Sequence, residues 1–337
     1  MCLLRSAARI QLYGYLSRGE CTGFFLPFLA KEYFLGFYGG EPLLTFPLIE
    51  KIVSFLKARD RKHKKTATFS ITTNGYLLTD EIIRFLSENS FHIVLSYDGI
   101  LQDKQRKERS SIRIISLIEK LLRTSNIRLE INSVFTPKSV SQFSESLRSI
   151  VNLGVHNIRY SLSYNEPWDK VSTTIFEKEL NKLSLWLQKQ HNAKVDIPII
   201  NFRENKKKGI FQCAAGKDRL TITPKGEIWG CFLFADYFRQ KSGILEPNKY
   251  SFGSLSEFME NYKEIYPRIL NNYSELSMDN MRTSKMECFL CNDIESCCIC
   301  PVSIGFSGNS LGEIPQYICE MQKVKNTVIK KKFFDTV

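Results

Sequence analysis

Cysteine is the residue whose type and spacing carry most of the chemistry in this chain. Eight of the ten cysteines follow residue 212, and six of those lie between Cys288 and Cys319. Thiolates bind zinc in sets of four and also hold iron–sulfur clusters, and spacing alone rarely separates the two. The array runs Cys213, twelve residues, Gly226, four residues, Cys231, and after a long gap Cys288, Cys291, Cys297, Cys298, Cys300 and Cys319. Cys288-x2-Cys291 is the usual chelating step, and eight cysteines are numerically sufficient for two four-ligand sites. His63, His92, His156 and His191 all lie outside the array, so thiolate-only ligation is expected.

Something must position such an array. With 337 residues, 43% hydrophobic and 24% charged, the composition is that of a globular protein of one large domain or two ordinary ones. No apolar run is long enough to span a bilayer, so no membrane association is expected. Residues 1–30 lack the order of charge, apolar block and cleavage site of a signal peptide, so a reducing cytoplasm is the expected compartment. There, paired cysteines bind metal or do redox work more often than they form disulfides. Net charge is +12 with a pI near 9.1. It concentrates in Arg59-Asp60-Arg61-Lys62-His63-Lys64-Lys65, Lys206-Lys207-Lys208 and Lys330-Lys331-Lys332. Taken singly, each run reads as a solvated helix end or loop. An acidic peptide or a nucleic acid would be attracted, but no aromatic-interleaved motif accompanies the charge, and nucleic acid is not expected.

From residue 33 to about 191, short β-branched or aromatic runs alternate with longer amphipathic stretches. Strands are predicted at 34–38, 68–72, 92–96, 128–135 and 157–162, with helices at 46–58, 79–87, 112–123, 141–152 and 174–190. This is a βα alternation, which implies a parallel sheet. Thr79 is the expected N-cap of the second helix, and Gly154 the expected cap after the fourth. Five βα units suit an open partial barrel or a doubly wound sheet, and in either case ligands lie beyond the C-terminal ends of the strands. Those positions hold Gly39-Gly40-Glu41-Pro42, Thr73-Asn74-Gly75 and Ser96-Tyr97-Asp98-Gly99. Glycine lets backbone approach a ligand, Glu41 is a carboxylate acceptor for an amine, and Ser96 with Asp98 is suited to sugar hydroxyls. Each motif alone also simply makes a turn; three at one rim are a stronger signal. After residue 191 the periodicity breaks. Residues 192–211 read as a linker or lid, 220–223 and 227–234 as a hairpin turning at Gly226 and carrying Cys231, and 252–270 as a helix.

These motifs together resemble a radical S-adenosylmethionine enzyme with a C-terminal SPASM domain, over roughly residues 33–325. The resemblance implies an α/β partial (β/α) barrel whose first unit is missing, plus a cysteine-rich auxiliary-cluster domain. The implied divisions are an atypical segment 1–32, a barrel 33–192, a linker 193–212, a SPASM-like domain 213–325 and a basic tail 326–337. It implies that Gly39, Gly40 and Glu41, with Thr73 and Asn74 alongside, contact the amino end of S-adenosylmethionine (AdoMet), that Ser96 and Asp98 lie near its ribose, and that Asn132 and Ser133 belong to the same pocket. Two auxiliary [4Fe-4S] clusters are implied, one on Cys213, Cys231 and Cys300, the other on Cys288, Cys291, Cys297 and Cys319. A ribosomally made peptide would be the substrate, and flavodoxin or ferredoxin the reductant.

Two departures from the family pattern stand out. Only Cys298 and Ile299 separate Cys297 from Cys300, one residue fewer than the pattern has, so Cys298 is a possible substitute ligand. The Cys-x3-Cys-x2-Cys set that holds the AdoMet-cleaving cluster is not in this sequence, where the remaining cysteines are Cys2 and Cys21. The expectation is therefore a truncated or misannotated start, or descent from an enzyme that lost that cluster, with no activity in the chain as given. The other readings are a non-catalytic iron–sulfur-binding partner or decayed homologue, and a zinc-stabilised α/β binding protein. Phe232 stands where an aspartate follows the second SPASM cysteine in sulfatase-oxidising relatives, which argues against that activity.

Overall fold

The computed structural model describes residues 9–14, 32–106, 108–163, 166–190, 197–203, 215–216, 219–240, 249–278, 281–283, 287–294, 297, 299–300, 302, 305 and 311–329. In chain order the elements are β1 (Arg9–Gly14), β2 (Glu32–Tyr38), α1 (Phe46–His63), β3 (Thr66–Thr73), α2 (Asp80–Glu88), β4 (His92–Ser96), α3 (Gln102–Gln105), α4 (Ser111–Arg123) and β5 (Arg128–Phe135). There follow α5 (Phe143–Asn152), β6 (Ile158–Leu162), α6 (Lys170–Gln190), β7 (Arg219–Ile222), β8 (Glu227–Trp229), α7 (Phe232–Gln240), β9 (Ser251–Ser254), α8 (Leu255–Met278) and α9 (Gln316–Ile329). The fold is the α/β partial barrel that the resemblance implied, one of the two architectures the alternation left open, with β2 to β6 as its five strands in βα order.

The chain divides into two compact units. The first comprises Met1–Val94, Asn126–Arg128 and Ala214–Glu275, the second Leu95–Ser125, Leu129–Cys213 and Leu276–Val337. Strand β4 has residues in both. In the first unit the strand order is β4, β3, β2, β1, β7, β8, β9; in the second it is β6, β5, β4. Pairs β2–β3 and β5–β6 are parallel, while β1 is antiparallel to both β2 and β7.

The first unit packs Phe69 on Phe91 at 5.4 Å and Phe37 on Phe91 at 6.2 Å, side chains that alternation sends to one face of β2 and β3. Helix α1 turns Ile49, Val53, Leu56 and Asp60 inward at helical spacing. Asp60 accepts the Tyr33 hydroxyl at 3.0 and 3.1 Å. Burial raises the Asp60 carboxyl, against the lowering effect of that hydrogen bond. It also drives the Tyr33 phenol far up, helped by the Asp60 charge. In the second unit Phe143 sits edge-on to Phe135 at 4.8 Å, Tyr160 at 4.9 Å and Phe176 at 5.5 Å.

Local signals behave as read. Thr79 Oγ1 accepts from Ile82 N at 3.3 Å, and Asp80 and Glu81 in the first turn complement the helix dipole of α2. Gly154 follows α5 at φ 81°, where a side chain would be strained.

Three readings are corrected. Residues 9–14, within the segment expected to be atypical and for which no strand was predicted, are β1. The predicted second hairpin strand 227–234 ends at Trp229, and Cys231 lies in the loop before α7. The predicted helix 252–270 is strand β9 followed by α8. Within the expected linker, Pro198 O accepts from Ile158 N at 2.9 Å and Ile199 bridges Ile158, so this stretch continues the edge of β6. Residues 193–196 and 204–212 of that linker, Cys213, Cys298 and the tail from 330 lie outside the described residues. Among the described residues no helix is long and apolar enough to cross a membrane.

Candidate functional site

In the first unit the chain leaves β2 through Gly39 and Gly40 at φ 101° and 57°, a left-handed path that glycine takes without strain. The turn delivers Glu41, whose Oε1 accepts from Leu43 N at 3.2 Å and Thr73 Oγ1 at 2.8 Å, and whose Oε2 accepts from Asn74 N at 2.9 Å. Thr73 Oγ1 in turn takes Gly75 N at 3.0 Å, and Asn74 Oδ1 takes Tyr76 N at 2.9 Å. The Gly-Gly-Glu-Pro and Thr-Asn-Gly motifs are thus one hydrogen-bonded structure. All three donors to Glu41 among the described residues are neutral, so they hold the carboxylate in place without pairing its charge. A carboxylate offers about four acceptor positions, so room for a cationic donor remains.

The second unit treats its polar groups differently. Asp98 is buried, and its carboxylate takes Arg106 Nε at 2.6 Å, Arg106 Nη2 at 3.2 Å and Val134 N at 3.0 Å. Ser146 Oγ donates to Asp98 O at 3.0 Å, and Gln102 Oε1 accepts Asp98 N at 3.1 Å. Ser133 is fully buried and donates to Tyr97 O at 2.6 Å. Asp98 and Ser133 therefore hold the ends of β4 and β5 together. Asn132 is half-buried; its Oδ1 accepts Ser161 Oγ at 3.2 Å. Ser96 is also half-buried, and its hydroxyl has no hydrogen-bond partner among the described residues. Of these four residues, Asp98 has its charge met by Arg106 and Ser133 has given its proton to Tyr97 O, whereas the Ser96 hydroxyl and the Asn132 amide nitrogen keep their donors for a ligand. Arg106, the ion-pair partner of Asp98, was not anticipated.

Cys231, in the first unit, is 8% exposed. Gly230 N donates to Tyr273 Oη at 2.9 Å, and that hydroxyl donates to Tyr250 O at 2.6 Å. A Cβ on Gly230 would stand 2.6 Å from both Gly216 N and the Tyr273 ring, so only glycine lets these segments cross. On the other side, the Phe232 ring lies 4.3 Å from Tyr38, the residue before Gly39. Cys231 is thereby fixed beside the loop that carries Glu41. With Cys213 outside the described residues and Cys300 in the second unit, the trio Cys213, Cys231 and Cys300 stays an expectation from sequence.

The other four cysteines converge in the second unit. Cys288 opens a 3-10 turn (Cys288–Leu290), and successive turns follow through Cys291 N to Cys288 O at 3.0 Å, Ile294 N to Cys291 O at 3.1 Å and Cys297 N to Ile294 O at 3.3 Å. Cys319 comes from the first turn of α9. Residues 281 and 282 join the two: Cys288 N bonds Met281 O at 3.0 Å, and Ile314 N bonds Arg282 O at 2.7 Å. Cys288, Cys297 and Cys319 pack on Met281, Ile299, Ile314 and Ile318. None of these cysteines is in a disulfide. The Cys288 thiol is pushed up to about 11, first by burial and then by the charges of Cys297, Cys319 and Cys291. Burial also raises Cys319, against the lowering effect of Lys323.

Charge coupling reaches farther than coordination, and as the side chains stand no three His, Cys, Asp or Glu among the described residues are grouped tightly enough to hold a metal ion. Cys288, Cys297 and Cys319 share one apolar cluster, and Cys291 lies on the turn that Cys288 opens; thiolates are the soft donors that zinc and iron–sulfur clusters take.

No protein-family model matches the chain. It is 28% identical over 206 residues to an uncharacterised protein of Methanocaldococcus jannaschii, covering 58% of this chain and 67% of that protein. To the radical SAM cyclopropyl synthase TigE of Paramaledivibacter caminithermalis it is 26% identical over 219 residues, covering 62% of this chain but 45% of the synthase. An uncharacterised protein of Methanothermobacter thermautotrophicus is 30% identical over 182 residues, covering 50% of this chain and 64% of that protein. Among solved structures, anSMEcpe with bound AdoMet superposes with a TM-score of 0.65 at 18% identity over 89% of this chain and 80% of its own. The same protein with AdoMet and the Kp18Cys peptide gives 0.67 at 17% identity over 91% and 86%. The chain is thus similar in sequence to part of a radical SAM synthase and in fold to structures solved with AdoMet bound.

Proposed function

We propose that this chain is an iron–sulfur protein of radical S-adenosylmethionine chemistry directed at a peptide or protein side chain, with a SPASM-like auxiliary cluster on Cys288, Cys291, Cys297 and Cys319. The observation that carries the reading is the packing of Cys288, Cys297 and Cys319 on one apolar cluster, with Cys291 on the turn that Cys288 opens. A bound cluster would supply one-electron chemistry or a ligation site for substrate sulfur. The protein's own part is to hold and orient. In the first unit, Glu41 offers a fixed carboxylate to the ammonium of AdoMet. In the second, Ser96 and Asn132 keep polar groups for a ligand, and Met281, Ile299, Ile314 and Ile318 back Cys288, Cys297 and Cys319.

The Cys-x3-Cys-x2-Cys set is not among these 337 residues, so reductive cleavage of AdoMet is expected to be silent in this polypeptide by itself. Likeness to a structure solved with a bound peptide supports a peptide as substrate class. The test is anaerobic reconstitution with iron and sulfide, followed by metal analysis and spectroscopy. Absorbance near about 400 nm with about four irons per filled site supports the reading. Stoichiometric colourless zinc with no iron uptake would replace it with a zinc-stabilised binding protein.

A further inference from the structure

A pocket of about 510 Å³ lies between α5, α6 and the 3-10 turn Gly99–Leu101, wholly within the second unit. That volume is in the range of small-molecule sites. Ser144, Glu145 and Arg148 line it from α5, Glu179 and Lys182 from α6, and Ile100 adds an apolar side chain. One of its ion pairs is already made. Buried Glu179 accepts Lys182 Nζ at 2.6 Å on Oε1 and Ser144 N at 3.1 Å on Oε2, so its charge is met. The other two charges stay apart. Glu145 and Arg148 stand three residues apart on one helix, a spacing at which such residues pair. Instead the Arg148 guanidinium lies 5.1 Å from the centre of the Trp186 ring, and neither residue has an ion-pair partner among the described residues. Beside them Ser144 is 3% exposed, and its Oγ has no hydrogen-bond partner. A buried hydroxyl left unpaired is costly and uncommon within a folded chain. A serine side chain turns between staggered rotamers, so a ligand seated in the pocket can meet it.

We propose that this pocket binds a small zwitterion carrying a carboxylate beside an ammonium, as a free α-amino acid does. Arg148 offers its planar fork to the carboxylate, with the Ser144 hydroxyl as a further donor. Glu145 takes the ammonium, and Ile100 covers an apolar side chain. The charge balance excludes simpler ligands. Two acids and two cations line the pocket. An anion alone would leave Glu145 unpaired beside it, and a cation alone would leave Arg148 and Ser144 without an acceptor. The site goes beyond the function proposed above and depends on neither iron nor AdoMet.

The experiment titrates the full chain with L-leucine, followed by saturation-transfer NMR. Isovalerate, which has the carboxylate alone, and isoamylamine, which has the ammonium alone, are run alongside. Saturable binding of leucine is expected, with both analogues weaker by about tenfold or more. Arg148→Gln and Glu145→Gln should each weaken leucine about tenfold, and Arg148→Lys, which keeps the charge, should weaken it less. Both side chains are exposed, and matching circular dichroism verifies folding. Lys178→Gln, on α6 outside the pocket, should bind as the unaltered protein does. Ser144→Ala gives an independent readout. It should weaken leucine about fivefold while leaving the ligand-free melting temperature unchanged or raised, because no hydrogen bond within the chain is lost. Absent saturable binding, an analogue that binds as tightly as leucine, or leucine binding indifferent to both Arg148→Gln and Glu145→Gln would overturn the proposal. So would a lower ligand-free melting temperature in Ser144→Ala, which would show the hydroxyl already engaged within the chain.

Discussion

Thr73 Oγ1 donates to Glu41 Oε1 at 2.8 Å across 32 residues of sequence, and this bond makes one structure of the loops after β2 and β3. Thr73, Leu43 and Asn74 all donate to the Glu41 carboxylate, so Glu41→Gln removes the charge and also one acceptor, since an amide nitrogen cannot take the Asn74 N–H. AdoMet affinity should fall by about tenfold or more, the range for hydrogen bonds to charged groups, with a lower melting temperature from the donor left unpaired. Equilibrium dialysis with labelled AdoMet checks this, and unchanged affinity would refute the role given to Glu41.

Asp98 and Ser96 should separate. Asp98 is buried against an Arg106 that is 28% exposed, so Asp98→Ala should cost about 1–3 kcal/mol of stability, less than a fully buried pair would. Ser96→Ala should leave stability within about 0.5 kcal/mol and act on ligand affinity. Denaturant unfolding of both variants distinguishes them. An Asp98→Ala protein as stable as the parent but deficient in AdoMet binding would return Asp98 to the ligand.

Gly230→Ala places a methyl 2.6 Å from Gly216 N and from the Tyr273 ring, both backed by packed structure. Overpacking of this kind costs about 1–3 kcal/mol. Gly226→Ala meets nothing within 4 Å, but Gly226 has φ 78°, so its cost is backbone strain alone. Thermal melts of the two should show which kind of loss each suffers: pairing Gly230→Ala with Tyr273→Leu should recover part of its loss, while Gly226→Ala should not respond.

Stability should carry a pH signature of Asp60. Burial raises its folded pKa above the ordinary 3.8. Between those two values the folded state retains a proton that the unfolded state has released, so the group's contribution to stability falls as pH rises through the window. Asp60→Asn does not ionise. The stability of the variant relative to the parent should therefore grow as pH is raised from about 3 toward 7. Parallel unfolding curves over that range, with a constant difference, would contradict the shift.

The five barrel strands were legible because stretches such as Phe69–Ile71 and Ile93–Leu95 are β-branched and aromatic and are flanked by turn residues. Strand β1 was not. Its Arg-Ile-Gln-Leu-Tyr-Gly sequence has only a short alternation, and its partners are β2 and the distant β7, where Ile10 faces Ile222. No local pattern records a pairing that remote. Strand β9 failed differently: Ser-Phe-Gly-Ser is four residues long with a glycine at φ 84°, and the helical periodicity of α8 begins directly after it. At the site, Glu41 and Thr73 could be assigned to one rim because both follow predicted strands. That Asp98 is held by Arg106 was hidden, because a motif records a residue's place and not which neighbour has already taken its hydrogen bonds.

The central claim is that Cys288, Cys291, Cys297 and Cys319 bind one iron–sulfur cluster, and metal analysis of variants tests it most directly. After anaerobic reconstitution, Cys288→Ala and Cys319→Ala should each lower iron and acid-labile sulfide by about four per chain relative to the parent, with the matching loss of visible absorbance. Undiminished iron in both variants, or a parent chain that takes up none, would contradict it.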